Sequence, residues 1–175
     1  MSRIWTIGHS TRSLEELLAL LEENGIGRLA DIRRYPSSRR YPHFSRESLE
    51  QELPKHGIEY VHMAELGGRR KPLPDSPNRG LRNEQFRAYA DHMGTAEFRA
   101  AVDRLLASEK RTAFMCAEAV PWRCHRNLLS DELLRRGLTV THILGPGQTQ
   151  PHELNRIARV EGERILYGDP EQLRL

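Results

Sequence analysis

The chain has 175 residues, is 38% hydrophobic and 29% charged, contains two cysteines, and carries a formal net charge of +3. That length suits one domain, 1–175, with a real hydrophobic core, and two cysteines are too few for a disulfide framework. No run approaches the ~18 apolar residues of a membrane span, and MSRIWTIGHSTRS lacks the apolar stretch of a secretory signal, so a cytoplasmic protein with reduced thiols and no membrane contact is expected.

Short apolar runs alternate with amphipathic segments. IWTI (4–7) reads as a strand. In the helix that follows, Leu14, Leu17, Leu18 and Leu21 share one face, Ser13 and Glu16 form a capping box, and Gly25 suits the end. RLADI (28–32) is the next strand, followed by the loop YPSSRRYPHF. A helix is expected over 46–56, with Leu49 and Leu53 inward and Pro54 near its end, and then a strand over 58–63. A loop rich in Gly, Pro and Arg occupies 64–82. Two helices follow, starting at the caps Asn83 and Thr95, the second with Phe98, Ala101, Val102 and Leu105 on one side. TAFMC (112–116) is a fourth strand, and a helix is expected from Pro121 to about Arg136, before Gly137. TVTHIL (139–144) is a fifth strand, GPGQTQP a turn, HELNRIARVEGE (152–163) a last helix, and RILY (164–167) a sixth strand.

This alternation predicts an α/β fold with a mostly parallel sheet of about five to six strands flanked by helices, the alternative being a partial or distorted β/α barrel. In either, ligands bind beyond the carboxyl ends of the strands. Polar chemistry gathers at those ends: Gly8, His9 and Ser10; Asp31 and Arg33; Gly67 and Gly68; Cys116 and Glu118; and His142. GHSTRS, between a strand and a helix start, suits an anion, with Ser10 offering a hydroxyl, but it lacks the GxxxxGK[ST] pattern of a nucleotide P-loop. His9 is a candidate general base. Asp31 and Arg33 are two apart and point the same way, either as a structural pair or with Asp31 orienting a base and Arg33 gripping an anion.

Charge is distributed unevenly. Residues 33–46 carry five arginines and no acid, and residues 69–82 carry five basic residues, including Arg69, against Asp75 alone. The remaining chain holds 17 basic and 23 acidic residues, a net of −6. Two positive segments on a negative body suit a phosphate-bearing ligand or a nucleic acid, with Tyr35, Tyr41 and Phe44 as candidate stacking or packing groups.

The densest chemistry lies in MCAEAVPWRCHR (115–126). Three readings compete there. Cys116 or Cys124 is a nucleophile, with His125 carrying a proton and Arg123 or Arg126 holding an anion. Alternatively, Cys116, Cys124 and His125 bind zinc or iron with a histidine from elsewhere, although the zinc-finger spacing is absent. In the third, both thiols are inert and Glu118 pairs with an arginine.

TIGHS, ADIRRYPSS, the ELGGRR region and MCAEAVPWRCHR, in that order over roughly residues 5–145, resemble the family called "domain of unknown function 488". The resemblance implies a soluble α/β protein whose reaction is not established. Its motif residues fall here on Gly8, His9, Ser10, Asp31, Arg33, Pro36, Gly67, Gly68, Cys116, Glu118, Cys124, His125 and Arg126. ADIR followed by strand, Cys, loop, Arg and helix is also similar to a rhodanese or cysteine-phosphatase loop. Here Cys116 and Arg123 are spaced C-x6-R, one residue longer than in that loop, and the loop has no glycine.

The resulting expectation is an intracellular enzyme, a hydrolase or transferase, acting on an anionic small molecule or nucleic acid. Cys116, Cys124, His125, His9, Glu118 and Asp31 would be catalytic. Ser10, Arg33, Gly67, Gly68, Arg69, Arg123 and Arg126 would bind the anion. A non-catalytic nucleic-acid-binding module using loops 33–46 and 69–82 and a metal-binding protein are the alternatives. The sequence names no cofactor beyond the zinc or iron alternative and leaves the oligomeric state open.

Overall fold

The computed structural model describes residues 2–37 and 39–168. Six strands form one open sheet in the order β3-β2-β4-β1-β5-β6: β1 (Arg3–Gly8), β2 (Arg28–Asp31), β3 (Glu59–His62), β4 (Thr112–Cys116), β5 (Thr139–Gly145) and β6 (Gln148–Pro151). The first five are parallel and β6 runs antiparallel to β5. With β3 and β6 as edges, this is the expected mostly parallel α/β sheet and not a barrel.

Side-chain alternation along the strands builds two cores. One face packs Trp5, Ile7, Leu29, Ala113, Met115 and Ile143 under α1 (Leu14–Glu23) and α2 (Arg46–Glu52). The other packs Ile4, Ala30, Phe114, Cys116 and Val140 under α3 (Glu84–Met93), α4 (Ala96–Leu106) and α5 (Arg126–Arg135). Period two in β4 thus sends Ala113 and Met115 to the first face, and Phe114 and Cys116 to the second.

The capping box on α1 forms as expected, with Ser13 and Glu16 each accepting from the other's backbone N–H. The chain leaves β1 and β2 over one face but leaves β3 and β4 over the other. Because β4 is inserted between β1 and β2, its carboxyl end is flanked by chains turning the opposite way. That is the topological switch where open α/β sheets form a crevice.

Four expectations need correction. The helix from Pro121 is broken: a 3-10 turn (Pro121–Arg123) ends at Cys124, which is extended (φ −137, ψ 150), and α5 begins only at Arg126. GPGQTQP is a hairpin that adds β6. Residues 152–163 are not a helix, since β7 (Ala158–Glu161) pairs with β8 (Arg164–Tyr167) in a separate two-stranded sheet, turning at Gly162 with φ +64. RILY is therefore a strand, as expected, but lies outside the main sheet. The glycine's left-handed backbone makes a tight turn where helical periodicity suggested continuity.

Gly8 pairs with Cys116, and a Cβ on Gly8 would stand 1.6 Å from the carbonyl oxygen of Glu118. Gly8→Ala is expected to destabilise the protein by about 3 kcal/mol, because backbone must move to admit the methyl. The urea midpoint of the variant measures this, and an unchanged midpoint would contradict the close approach.

Candidate functional site

The first wall of the site is the continuation of β1 alongside β4. Past the strand ends, the His9 N–H donates to Cys116 O (3.0 Å) and the Ser10 N–H to Ala117 O (2.9 Å). Ser10 takes φ +49, one of two left-handed non-glycine residues among those described. The other is Arg69, φ +57, on the opposite side of the crevice. Strain of this kind persists where surrounding contacts over-determine the backbone.

The second wall is Asp31-Ile32-Arg33. Asp31 is fully buried and accepts from Arg33 at both oxygens, from Nε at 2.9 Å and from Nη2 at 2.7 Å. The Tyr60 hydroxyl adds a 2.5 Å bond to the same carboxylate. Arg33 also donates to Phe44 O at 2.6 Å and lies 3.3 Å from His9 Nε2. Because His9 Nδ1 is 2.9 Å from Ser10 O, Nδ1 carries the proton and Nε2 accepts from Arg33. Burial, aided by the Arg33 charge, holds His9 down to about 4. Arg33 is therefore largely occupied by the protein: it fixes His9 and ties down the loop at Phe44, which stacks on His9 with ring centroids 4.6 Å apart.

The thiols form the floor. Cys116 Sγ lies 3.5 Å from Glu118 O, and Cys124 Sγ accepts the Arg126 N–H at 3.4 Å and sits 3.6 Å from His125 Nδ1. The two thiols are free and buried, and each shifts the ionisation of the other. Burial opposes ionisation of Cys116, but the Cys124 thiol, the Arg126 charge and the Glu118 backbone outweigh it, so its pKa falls below the ordinary thiol value. Cys124 is pushed well up, by burial first and then by its neighbour. Two thiols this close do not both ionise, and Cys116 takes the charge. Burial also holds His125 down to about 4, against a weaker opposing pull from the Ile32 backbone.

Arg126 stands behind the thiols, 0% exposed. Its Nη2 donates to Ala119 O at 3.1 Å, while Nε and Nη1 have no hydrogen-bond partner among the described residues. A buried guanidinium with two unsatisfied donors is costly unless an anion lies near, and the Arg126 charge is one of the causes that favour ionisation of Cys116.

Above the floor opens a cleft of about 450 Å³ that reaches Cys116, Cys124, His125 and Gly68. A neighbouring lobe of about 380 Å³ reaches His9, Ser10 and Tyr41. Arg33, Tyr35, Arg69, Ala117 and Glu118 line both. Arg34 Nη1 donates to Arg69 O at 2.6 Å, and the guanidinium carbons of Arg34 and Arg69 lie 5.5 and 5.6 Å from the Tyr35 ring. Arg123 completes the basic rim. Gly67 is packed on the Arg34 backbone (2.6 Å from a would-be Cβ to N), and Gly68 lies against His125 (3.2 Å to Nδ1).

The structure thus brings the expected strand-end residues together, apart from His142, which lies in a separate buried chain, and with exceptions in role. Arg126 lies behind the cleft and does not line it. The 69–82 segment is tied down rather than arching over the cleft: Ser76, Asn78 and Leu73 bond Asp91, and Arg70 bonds Gly67, Ala64 and Glu65 carbonyls. Among the described residues, no three His, Cys, Asp or Glu side chains are arranged to hold a metal ion. Sequence reasoning missed Gln85 and Phe86, which α3 brings to the cleft, and Tyr60 behind Asp31. It also missed a buried chain in which Thr6 bonds His142 (2.6 Å), His142 bonds His152 (2.9 Å), and His152 bonds Asp131 (2.7 Å). Of that chain only His142 carried any signal, from its place near a strand end.

Two outcomes are expected. Burial holds His9 and His125 to about 4 and His142 to about 3, against 6.5 when unfolded. The unfolded state therefore binds more protons below pH 6.5, and stability present above that pH is lost as pH falls toward 4. Each histidine contributes a loss on the order of 1–2 kcal/mol between pH 7 and 5, readable in urea titrations at the two pH values. Arg126→Met is expected to raise the pH midpoint of Cys116 alkylation by about one unit, without lowering the urea midpoint at neutral pH. An unmoved alkylation profile would remove Arg126 as the thiolate's counter-ion.

Among the described residues, no helix is long and apolar enough to cross a membrane. Neither a curated protein nor a solved structure matches the chain. A family model does match, over residues 13–133, a span that takes in both basic segments and both cysteines. That span is more than half of the chain, and the protein belongs to the family described as Domain of unknown function DUF488.

Proposed function

We propose that the protein is an enzyme in which Cys116 attacks an anionic substrate seated on Arg34, Arg69 and Arg123. The observation that carries this reading is a thiol biased toward thiolate on the floor of an arginine-rimmed cleft. A nucleophile needs its charge stabilised but not consumed, and a buried arginine with spare donors supplies that. His9 and His125 are neutral at physiological pH; Nε2 of His9 is taken up by Arg33, so His125, whose Nε2 has no partner among the described residues, is the proton carrier. Glu118, exposed at the junction of the two lobes, is the carboxylate nearest in sequence to the nucleophile. Tyr35, 57% exposed between two arginines, suits stacking on a base, which favours a nucleotide or a nucleic-acid end within this class. The same feature supports the alternative of a non-catalytic nucleic-acid platform, which predicts affinity falling steeply with salt whatever the state of Cys116.

Alkylation tests the reading without a known substrate. Anionic iodoacetate is expected to modify Cys116 about 10-fold faster, relative to neutral iodoacetamide, than it modifies a free thiol, and salt should erode the preference. Arg34→Gln with Arg69→Gln should return the ratio to the free-thiol value, with the modified residue located by peptide mass. A wild-type ratio equal to that of free cysteine would sink the proposal.

A further inference from the structure

A nucleophile needs one thiol, yet this cleft holds two. Cys116 and Cys124 both line it, both are free, and they belong to the same packed cluster. Each thiol lies close enough to shift the ionisation of the other. Cys124 reaches that place at a cost in regularity. The chain leaves helical geometry there, interrupting what would otherwise be one helix from Pro121 to Arg135, and the Arg126 N–H fixes the sulfur at 3.4 Å. One sulfur is set up to be a thiolate and the other to keep its proton, the asymmetry that separates an attacking from a resolving thiol.

We propose that Cys116 and Cys124 form a redox dithiol that reduces a small anionic disulfide held on the arginine rim, with Cys116 attacking and Cys124 resolving. This deepens the nucleophile reading above and rests on it. In the first step the Cys116 thiolate bonds to one sulfur of the substrate. The substrate S–S bond breaks, and the first thiolate leaves with the electron pair and takes up the proton that Cys116 lost on ionising. In the second step Cys124 attacks Cys116 Sγ, the mixed disulfide breaks, and the second substrate thiolate leaves and takes up the Cys124 proton. One disulfide becomes two thiols, and the protein dithiol becomes a Cys116–Cys124 disulfide. An external thiol such as dithiothreitol returns it to the reduced state. The rim suits a substrate of this kind: Arg34, Arg69 and Arg123 meet carboxylates, while Tyr35 and Phe86 offer ring faces.

Dithiobis(nitrobenzoate), a dianionic aromatic disulfide whose released thiolate absorbs visible light, is the probe. With one equivalent of probe per reduced protein, the wild type is expected to release both halves of each probe molecule. Intact mass should show the loss of two hydrogens and no adduct, and peptide mapping should show Cys116 joined to Cys124. Cys124→Ser should release one half and keep the other on Cys116. Arg69→Gln should slow the reaction several-fold with this probe but not with neutral dithiodipyridine. A wild type that retains the adduct, or maps to no internal disulfide, overturns the dithiol using the native protein alone, so the result does not depend on any variant folding. If Cys116 still shows the iodoacetate preference in that case, only the resolving role falls. If Cys116 reacts with neither reagent, the nucleophile reading falls with it.

Discussion

Between β1 and β4 there is no room for a side chain at position 8. A Cβ there would overlap the Glu118 carbonyl, and through this close approach the ladder runs on past both strands, His9 to Cys116 and Ser10 to Ala117. Much of the site follows from that extension. It aligns GHS with CAE as two faces of one crevice and turns the Cys116 side chain toward α5. Insertion of β4 between β1 and β2 then brings DIR to the other flank, since Ile32 N–H continues the β2 ladder to Met115 O at 3.0 Å. Three chain segments far apart in sequence become three walls because one glycine lets two backbones touch.

Electrostatics in the crevice is organised by separation. Arg33 is neutralised by Asp31, which Tyr60 also holds, so this arginine serves as a strut that orients His9. Among the described residues Arg126 has no carboxylate partner and two unsatisfied donors, and its charge favours ionisation of Cys116. Arg34, Arg69 and Arg123 line the open cleft, where a ligand can meet them. Burial meanwhile keeps His9 and His125 uncharged, so the positive charge behind and around the thiols is that of the arginines.

Much of this was legible in the chain. The five parallel strands showed because each is a short apolar run between turn residues, and helix starts showed where Ser13, Asn83 and Thr95 cap them through side-chain oxygen. The strand-end residues could be named once parallel order was assumed. The kink at Cys124 left no trace, because Pro121 reads as an ordinary first-turn proline and nothing local announces that the chain straightens three residues later. The β7–β8 hairpin was hidden for the opposite reason: its residues form a plausible helical stripe, and only the left-handed Gly162 and the pairing of Val160 with Ile165 decide against it.

The sequence by itself determined the fold class, which polar groups stand at the strand ends, and the family, because periodicity, caps and motif residues are local properties of the chain. Tertiary structure alone decided what those groups do to one another. That Tyr60 closes on Asp31, that Arg33 reaches His9, and that α3 brings Phe86 to the cleft beside Cys116 all depend on contacts between segments tens of residues apart. So does the Thr6–His142–His152–Asp131 chain, in which buried polar groups from β1, β5, α5 and the loop after β6 satisfy one another. Burial and pairing are set by what the rest of the molecule places nearby, and no window of sequence contains that.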